Sequence, residues 1–256
     1  MTHRAYFLGA GPGDPELLTR RAERLLRECR VVYLSPLYDQ AFAELLVGKE
    51  LFVPFDYCFA DLVAQIREQL TREPIAFLVP GDMTFYSPFQ ALVDALGDQA
   101  IVIPGVGTAN AASARLKKTL DLPGVSSRAI LTSPRTLGEV AGAPAMKELA
   151  APGVTLLIYM NNQPLAELVA QLREGYGKDV PIALAHRVGL PGEEIVLATL
   201  DTIIPEVGTR DFFNLNGSDR RPALTLLLVG ESLAAAGDSR WWDYRREHIW
   251  KKQGKS

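Results

Sequence analysis

The stretch from Tyr6 to Leu34, YFLGAGPGDPELLTRRAERLLRECRVVYL, constrains the fold more than any other in the chain. A short apolar run enters a glycine-rich turn, a helical pattern follows, and a second apolar run closes it. The same alternation continues through the first half. Apolar runs of strand length fall at 4–10, 31–34, 51–54, 75–80 and 100–103, with helical patterns at 15–29, 39–47, 60–72 and 88–96. In DLVAQIREQL, Leu62, Ile66 and Leu70 recur every four residues and share one helix face. Strand and helix in alternation imply a parallel sheet with helices on both faces.

The second half reads differently. A helical segment at 107–118 ends in a Pro/Gly/Ser-rich stretch, 119–127, expected to be a linker. Strands are expected at 128–132, 154–160, 181–187, 194–199 and 223–229, and PLAELVAQLREGYG is a helix with a glycine stop. VGLPGE is too short for a crossover helix, so the strands it joins are expected to pair antiparallel in a mixed sheet. The expected architecture is α/β, with two lobes: 1–118 around a mostly parallel sheet and 128–232 around a mixed one. A ligand cleft is expected between them, and 233–256 forms a tail.

Bulk properties exclude several classes. Of 256 residues, 48% are apolar, enough for a full core, and the net charge of −3 gives no pull toward nucleic acid or anionic lipid. No apolar run reaches the ~18 residues of a membrane span. The start lacks the pattern of a signal peptide, so the expected setting is the cytoplasm. Cys29 and Cys58 lack metal-ligand spacing and are expected to be free thiols.

The glycine turns carry the chemistry. Gly9, Gly11 and Gly13 stand at i, i+2 and i+4, whereas a dinucleotide fingerprint needs the third glycine at i+5, where this chain has Asp14. Pro12 also removes an N–H from any anion nest. The loop therefore allows close approach to backbone without cradling a phosphate, and Asp14 can cap a helix beginning at Pro15. In LVPGDMTFYSPF, Gly81 turns the chain and Asp82 stands at a strand's carboxyl end, able to cap a helix or to accept hydrogen bonds from a ligand amine or ribose. Ser87 and Pro88 suit the start of the next helix. Gly107, Thr108 and the alanines that follow permit close approach by a flat ligand or a neighbouring helix. In TLLIYMNNQPL, Met160 suits either core packing or soft contact with a purine or thioether. Three of these turns follow three strands at the same end of one sheet.

GAGPGDPELLT after the first strand, PGD with its aromatics after the fourth, PGVGTA after the fifth and TLLIYM in the second lobe resemble the tetrapyrrole methyltransferases, from Tyr6 to Glu231. The resemblance implies two lobes binding S-adenosylmethionine, an in-line methyl transfer to an electron-rich ring carbon with no metal, and a homodimer. It places Pro12 on the cofactor and assigns its amino-acid and ribose portions to Gly81, Asp82 and Phe85. Gly107 and Thr108 lie near its carboxylate, Met160 near adenine, and Ala185 and His186 give backbone contacts there. The tetrapyrrole is a small-molecule, polycarboxylate partner; Lys117, Lys118, Arg128, Arg135 and Arg187 are candidates to meet it. No nucleic acid or membrane partner is implied.

Two departures fall on the acceptor side. Relatives place an acidic residue just after the second strand, where this chain has Leu34, Ser35 and Pro36, and Met83 replaces a proline after GD. Tyr38, Asp39 and Tyr86 are the candidate catalytic residues there. ILTSPR with GYGKDVPIALAHRVGLPGEEIVLATL is most similar to the precorrin-4 methyltransferases, with uroporphyrinogen-III and precorrin-2 methylases as alternatives. Relatives acting on RNA or on a diphthine precursor are disfavoured by first loop and charge, and a nicotinamide oxidoreductase by the failed fingerprint. A cofactor-binding protein without turnover is the remaining alternative. The tail, SRWWDYRREHIWKKQGKS, suits a packed terminal helix, a dimer pad or a clamp on an acidic partner.

Overall fold

The computed structural model describes residues 3–216 and 223–250. The chain divides into two units, Met1–Ala111 with Arg187–Glu193, and Ala112–His186 with Glu194–Ser256.

The first unit holds β1 (Ala5–Gly9), β2 (Val31–Tyr33), β3 (Glu50–Phe52), β4 (Ile75–Val79) and β5 (Ala100–Ile103) in one sheet, ordered β3-β2-β4-β1-β5 and parallel throughout. Between the strands run α1 (Arg20–Glu28), α2 (Ala43–Leu46), α3 (Phe59–Gln69) and α4 (Gln90–Leu96), and α5 (Thr108–Leu116) follows β5. All five β4 side chains are buried, because helices cover both sheet faces. Ile75, Phe77 and Val79 enter one apolar cluster, and Ala76 and Leu78 enter the other. On the first face Phe7, Phe77 and Tyr33 stack in a row at 4.7 and 4.6 Å between ring centroids. The Tyr33 hydroxyl donates to Gln69 Oε1 at 2.6 Å, satisfying its one polar atom.

The expected helix at 15–29 breaks in two. Asp14 accepts Glu16 N–H and caps one 3-10 turn at Pro15–Leu17; Thr19 then caps α1 through Ala22 N–H. Each carries its own N-cap residue, so the chain restarts rather than continues. Ser87 accepts Phe89 N–H in the turn before α4 rather than opening the helix itself. Met83 is buried in the first-face cluster with Val79 and Phe89. Both cysteines are free, Cys29 buried and Cys58 exposed.

The second unit holds β6 (Arg128–Thr132), β7 (Val154–Ile158), β8 (Pro181–His186), β9 (Glu194–Thr199) and β10 (Thr225–Val229), ordered β6-β7-β10-β8-β9. β6 and β7 are parallel, and the remaining pairs, including β8–β9, are antiparallel. Its helices are α6 (Pro134–Leu137), α7 (Met146–Leu149), α8 (Leu165–Tyr176), α9 (Ile203–Val207) and α10 (Ser239–Arg245). α8 buries Leu168, Val169, Leu172 and Tyr176 and stops at Gly177 in the left-handed conformation, the glycine stop read from the sequence.

The tail begins packed, with Leu233 buried, but from Ser239 on it is helical and unpacked. Every residue from Ser239 to Trp250 is exposed, and its aromatics meet one another: Trp241 stacks on Tyr244, and Tyr244 on His248. The last six residues of the tail lie outside the described residues.

Candidate cofactor site

Because β1, β4 and β5 are adjacent and parallel, the chain leaves all three at one edge of the first sheet. The exits lock together. Gly11 donates to Gly81 O at 3.0 Å, and Gly81 donates back to Gly11 O at 2.8 Å. A Cβ on Gly9 would lie 2.5 Å from Gly105 N, and one on Gly105 would lie 2.5 Å from Gly81 O. No side chain fits at either position, so these two glycines are set by contact between loops. Gly81 differs: at φ +65° its constraint is conformational, and an added Cβ would meet nothing closer than Thr108 Oγ1 at 3.7 Å.

Asp82 joins the exits through its side chain. Oδ2 accepts Gly105 N–H at 2.8 Å, and Oδ1 accepts Thr84 N–H at 2.8 Å together with the Thr84 hydroxyl. Burial pushes the carboxyl up, but the Thr84 hydroxyl and the N–H groups of Gly105 and Thr84 outweigh it and hold Asp82 below its ordinary value. A carboxylate has about four acceptor positions, so one is left for a ligand donor.

Sequence reasoning missed the brace behind the first loop. The connector 188–193, together with Arg187, which was expected to end the preceding strand, belongs to the first unit. A Cβ on Gly189 would lie 3.0 Å from Pro12 Cγ and 3.1 Å from Asp14 N, and Leu190 lies against Gly13. Pro12 is thereby buried and held. The signal was present in Gly189 and Gly192, two glycines within six residues, both at positive φ.

Phe85 and Tyr86 are exposed beside Asp82, Tyr86 with φ +54°. Thr108 is the first residue of α5, and Gly107 O accepts Ala111 N–H, so the helix's first N–H groups are available to an anion. Asp39 is exposed. Tyr38 is a core residue: 2% exposed, it packs edge-on against Phe42, and burial pushes its hydroxyl up.

In the second unit, Met160 follows β7 with φ +47°, Ala185 is fully buried in β8, and His186 ends that strand. His186 Nδ1 lies 2.7 Å from Thr225 Oγ1, which donates its hydrogen to Phe212 O at 2.6 Å. The Phe212 ring meets His186 edge-on at 5.3 Å. Ser133 follows β6, and Asn161 follows Met160. A cavity of about 310 Å³ is lined by α6 residues Pro134 and Leu137, by Pro144 and Met146, and by Gln163 and Gln171. Of the candidate cations, Lys118 donates to Ala235 O, Arg187 to Pro191 O, and Arg135 lies 4.0 Å from Glu139; Lys117 and Arg128 are exposed.

The model of the family Tetrapyrrole (Corrin/Porphyrin) Methylases matches residues 4–204. The chain belongs to this family. Among curated relatives of this tetrapyrrole methylase is the precorrin-4 C(11)-methyltransferase of Pseudomonas aeruginosa, 36% identical over 95% of this chain and 96% of the relative. The uroporphyrinogen-III C-methyltransferase of Paracoccus denitrificans is 31% identical over 92% of this chain and 83% of that protein. Among solved structures, the cobalt precorrin-4 methyltransferase CbiF aligns with a TM-score of 0.77 at 22% identity, covering 91% of this chain and 96% of that one. The uroporphyrin-III C-methyltransferase of Thermus thermophilus, complexed with S-adenosyl homocysteine, aligns at 0.65 with 25% identity, covering 90% and 98%. This tetrapyrrole methylase is an S-adenosylmethionine-dependent C-methyltransferase.

Proposed function

We propose that the chain methylates C11 of precorrin-4, or its cobalt form, in cobalamin biosynthesis. The supporting observation is the end-to-end match to the Pseudomonas aeruginosa enzyme, 36% identical over 95% of this chain. The Paracoccus denitrificans match favours uroporphyrinogen III as the second acceptor to test. Incubation of the purified protein with S-adenosylmethionine and each acceptor, read by mass, tests the proposal. One added methyl on precorrin-4 and none on uroporphyrinogen III is expected; the reverse outcome overturns it.

The cofactor is proposed to be held by Pro12, Gly81, Asp82, Phe85, Gly107 and Thr108 from the first unit and by Met160, Ala185 and His186 from the second. The first-unit residues suit it chemically: Asp82 is anionic with one acceptor position left, Gly81 presents backbone without a side chain, and the start of α5 suits a carboxylate. Bound there, the cofactor supplies an electrophilic methyl group on a sulfonium. The protein's own part is alignment, done by loops whose backbones fix one another. On the acceptor side Tyr86 and Asp39 are proposed to act, with Tyr38 supporting from the core. Lys117, Arg128 and Arg187 are proposed to meet the acceptor's carboxylates.

The same reading extends to a homodimer in the cytoplasm, with no nucleic acid or membrane partner. Val47, Leu51, Phe55 and Phe59 are exposed on and beside the edge strand β3 and support an interface there. Light scattering of wild type against Phe55→Glu tests it: a dimer that becomes a monomer is expected, and a monomeric wild type would remove this part.

A further inference from the structure

We propose that the side chains of Asn161 and Ser133 read the purine edge of the cofactor and make this chain selective for adenine; the proposal rests on the cofactor reading above. Both groups belong to the second unit, where β6 and β7 run parallel and adjacent, with Thr132 opposite Ile158. Tyr159 N–H donates to Thr132 O at 2.8 Å, so the two chains leave the sheet tied together. Just beyond that tie the backbone at Met160 turns through φ +47°, a conformation that a non-glycine side chain rarely adopts.

Past this turn, Asn161 is 5% exposed and Ser133 is wholly buried. Asn161 Nδ2 donates to Gln163 O at 2.7 Å. That bond fixes the amide orientation, because a carbonyl accepts only from the nitrogen side. Asn161 Oδ1 and Ser133 Oγ are then buried with no hydrogen-bond partner among the described residues. Leaving such groups unpaired costs about 1–3 kcal/mol each, so their retention points to a ligand. Pro134, next to Ser133, and Gln163, which accepts from Asn161, line the cavity of about 310 Å³ described above.

The donor pattern names the ligand chemistry. Asn161 Oδ1 can only accept, and the Ser133 hydroxyl can donate. A carboxylate, which only accepts, has nothing to offer Asn161. A 6-aminopurine offers an N–H donor beside a ring-nitrogen acceptor, matching the pair. A 6-oxopurine reverses the pattern and sets its oxygen against Asn161 Oδ1.

Equilibrium binding of S-adenosylhomocysteine and of S-inosylhomocysteine to the full-length protein separates the outcomes. Wild type is expected to favour the adenine form by about tenfold or more. Ser133→Ala removes an unpaired hydroxyl, so its unbound thermal midpoint should hold or rise while the preference falls to about threefold or less. Asn161→Ala should lower the preference in the same way. An unchanged preference in Ser133→Ala, or equal weakening of both ligands, would overturn the proposal even if Asn161→Ala failed to fold. Failure of wild type to bind either compound would remove the cofactor reading and the proposal with it, a result distinct from lost discrimination.

Discussion

Asp82 and Gly105, 23 residues apart, are joined by one 2.8 Å hydrogen bond from the Gly105 N–H to Oδ2, so a single carboxylate ties the exit of β4 to the exit of β5. Asp82→Ala should therefore weaken cofactor binding twice over, by removing a ligand acceptor and by freeing the Gly105 loop. A loss of at least about tenfold in S-adenosylhomocysteine affinity is expected by calorimetry. Wild-type affinity in the variant would refute the role.

Acid should expose the same residue. The folded Asp82 carboxyl lies below its ordinary 3.8, so the folded value is depressed relative to the unfolded chain. Its ionised form stabilises the fold above about pH 4, and that contribution is lost as pH falls through the folded value. The gap in thermal midpoint between wild type and Asp82→Asn should be constant near neutrality and close in acid.

Gly9→Ala should damage the fold, not only the site. Its Cβ would lie 2.5 Å from Gly105 N, a backbone atom, with no flexible side chain to yield. A loss of about 1–3 kcal/mol in urea unfolding is expected, together with weakened cofactor binding.

His186 should carry its neutral-form proton on Nδ1. Thr225 has one hydroxyl hydrogen and donates it to Phe212 O, so it can only accept from His186. Nitrogen NMR of the imidazole should report the Nδ1–H tautomer in wild type and a mixture in Thr225→Val, which should also lose about 1–3 kcal/mol for the stranded Phe212 carbonyl.

The two thiols should differ sharply. Burial pushes Cys29 up to about 11, against a smaller opposing pull from Lys49, and the side chain is fully enclosed. Cys58 is exposed at the start of α3. A thiol reagent should modify one cysteine per native chain and two after unfolding.

The first-unit strands were legible because strands of a covered parallel sheet are short apolar runs; four of the five expected runs there contain a strand, and 51–54 overlaps the exposed edge strand β3 only at Leu51 and Phe52. The split of 15–29 was half legible: Asp14 and Pro15 were read as a start, but Thr19 was not read as a second one. The antiparallel β8–β9 pair followed from a connector too short for a helix. What the same connector does was not legible, because Gly189 and Leu190 meet Pro12 and Gly13 across more than 170 residues, beyond any local pattern. The glycines of the first and third loops drew attention as ligand positions, yet Gly9 and Gly105 answer to each other. Spacing alone does not distinguish backbone approaching a ligand from backbone approaching backbone. Neither Asn161 nor Ser133 was read as a site residue, since a polar residue after a strand ordinarily faces water. α6, α7 and α9, at four or five residues each, are too short to show a period.

Trp241, Trp242 and Trp250 are the chain's three tryptophans, and all sit in the exposed terminal helix. Their emission is therefore an intrinsic optical reporter of that segment alone. Melting of the two sheets should leave the tryptophan signal nearly silent, whereas anything that seats on the helix should shift it to shorter wavelength. The molecule thus carries its own dye in an exposed helix, where the aromatic rings rest on one another and, at Trp241, on the Arg245 guanidinium.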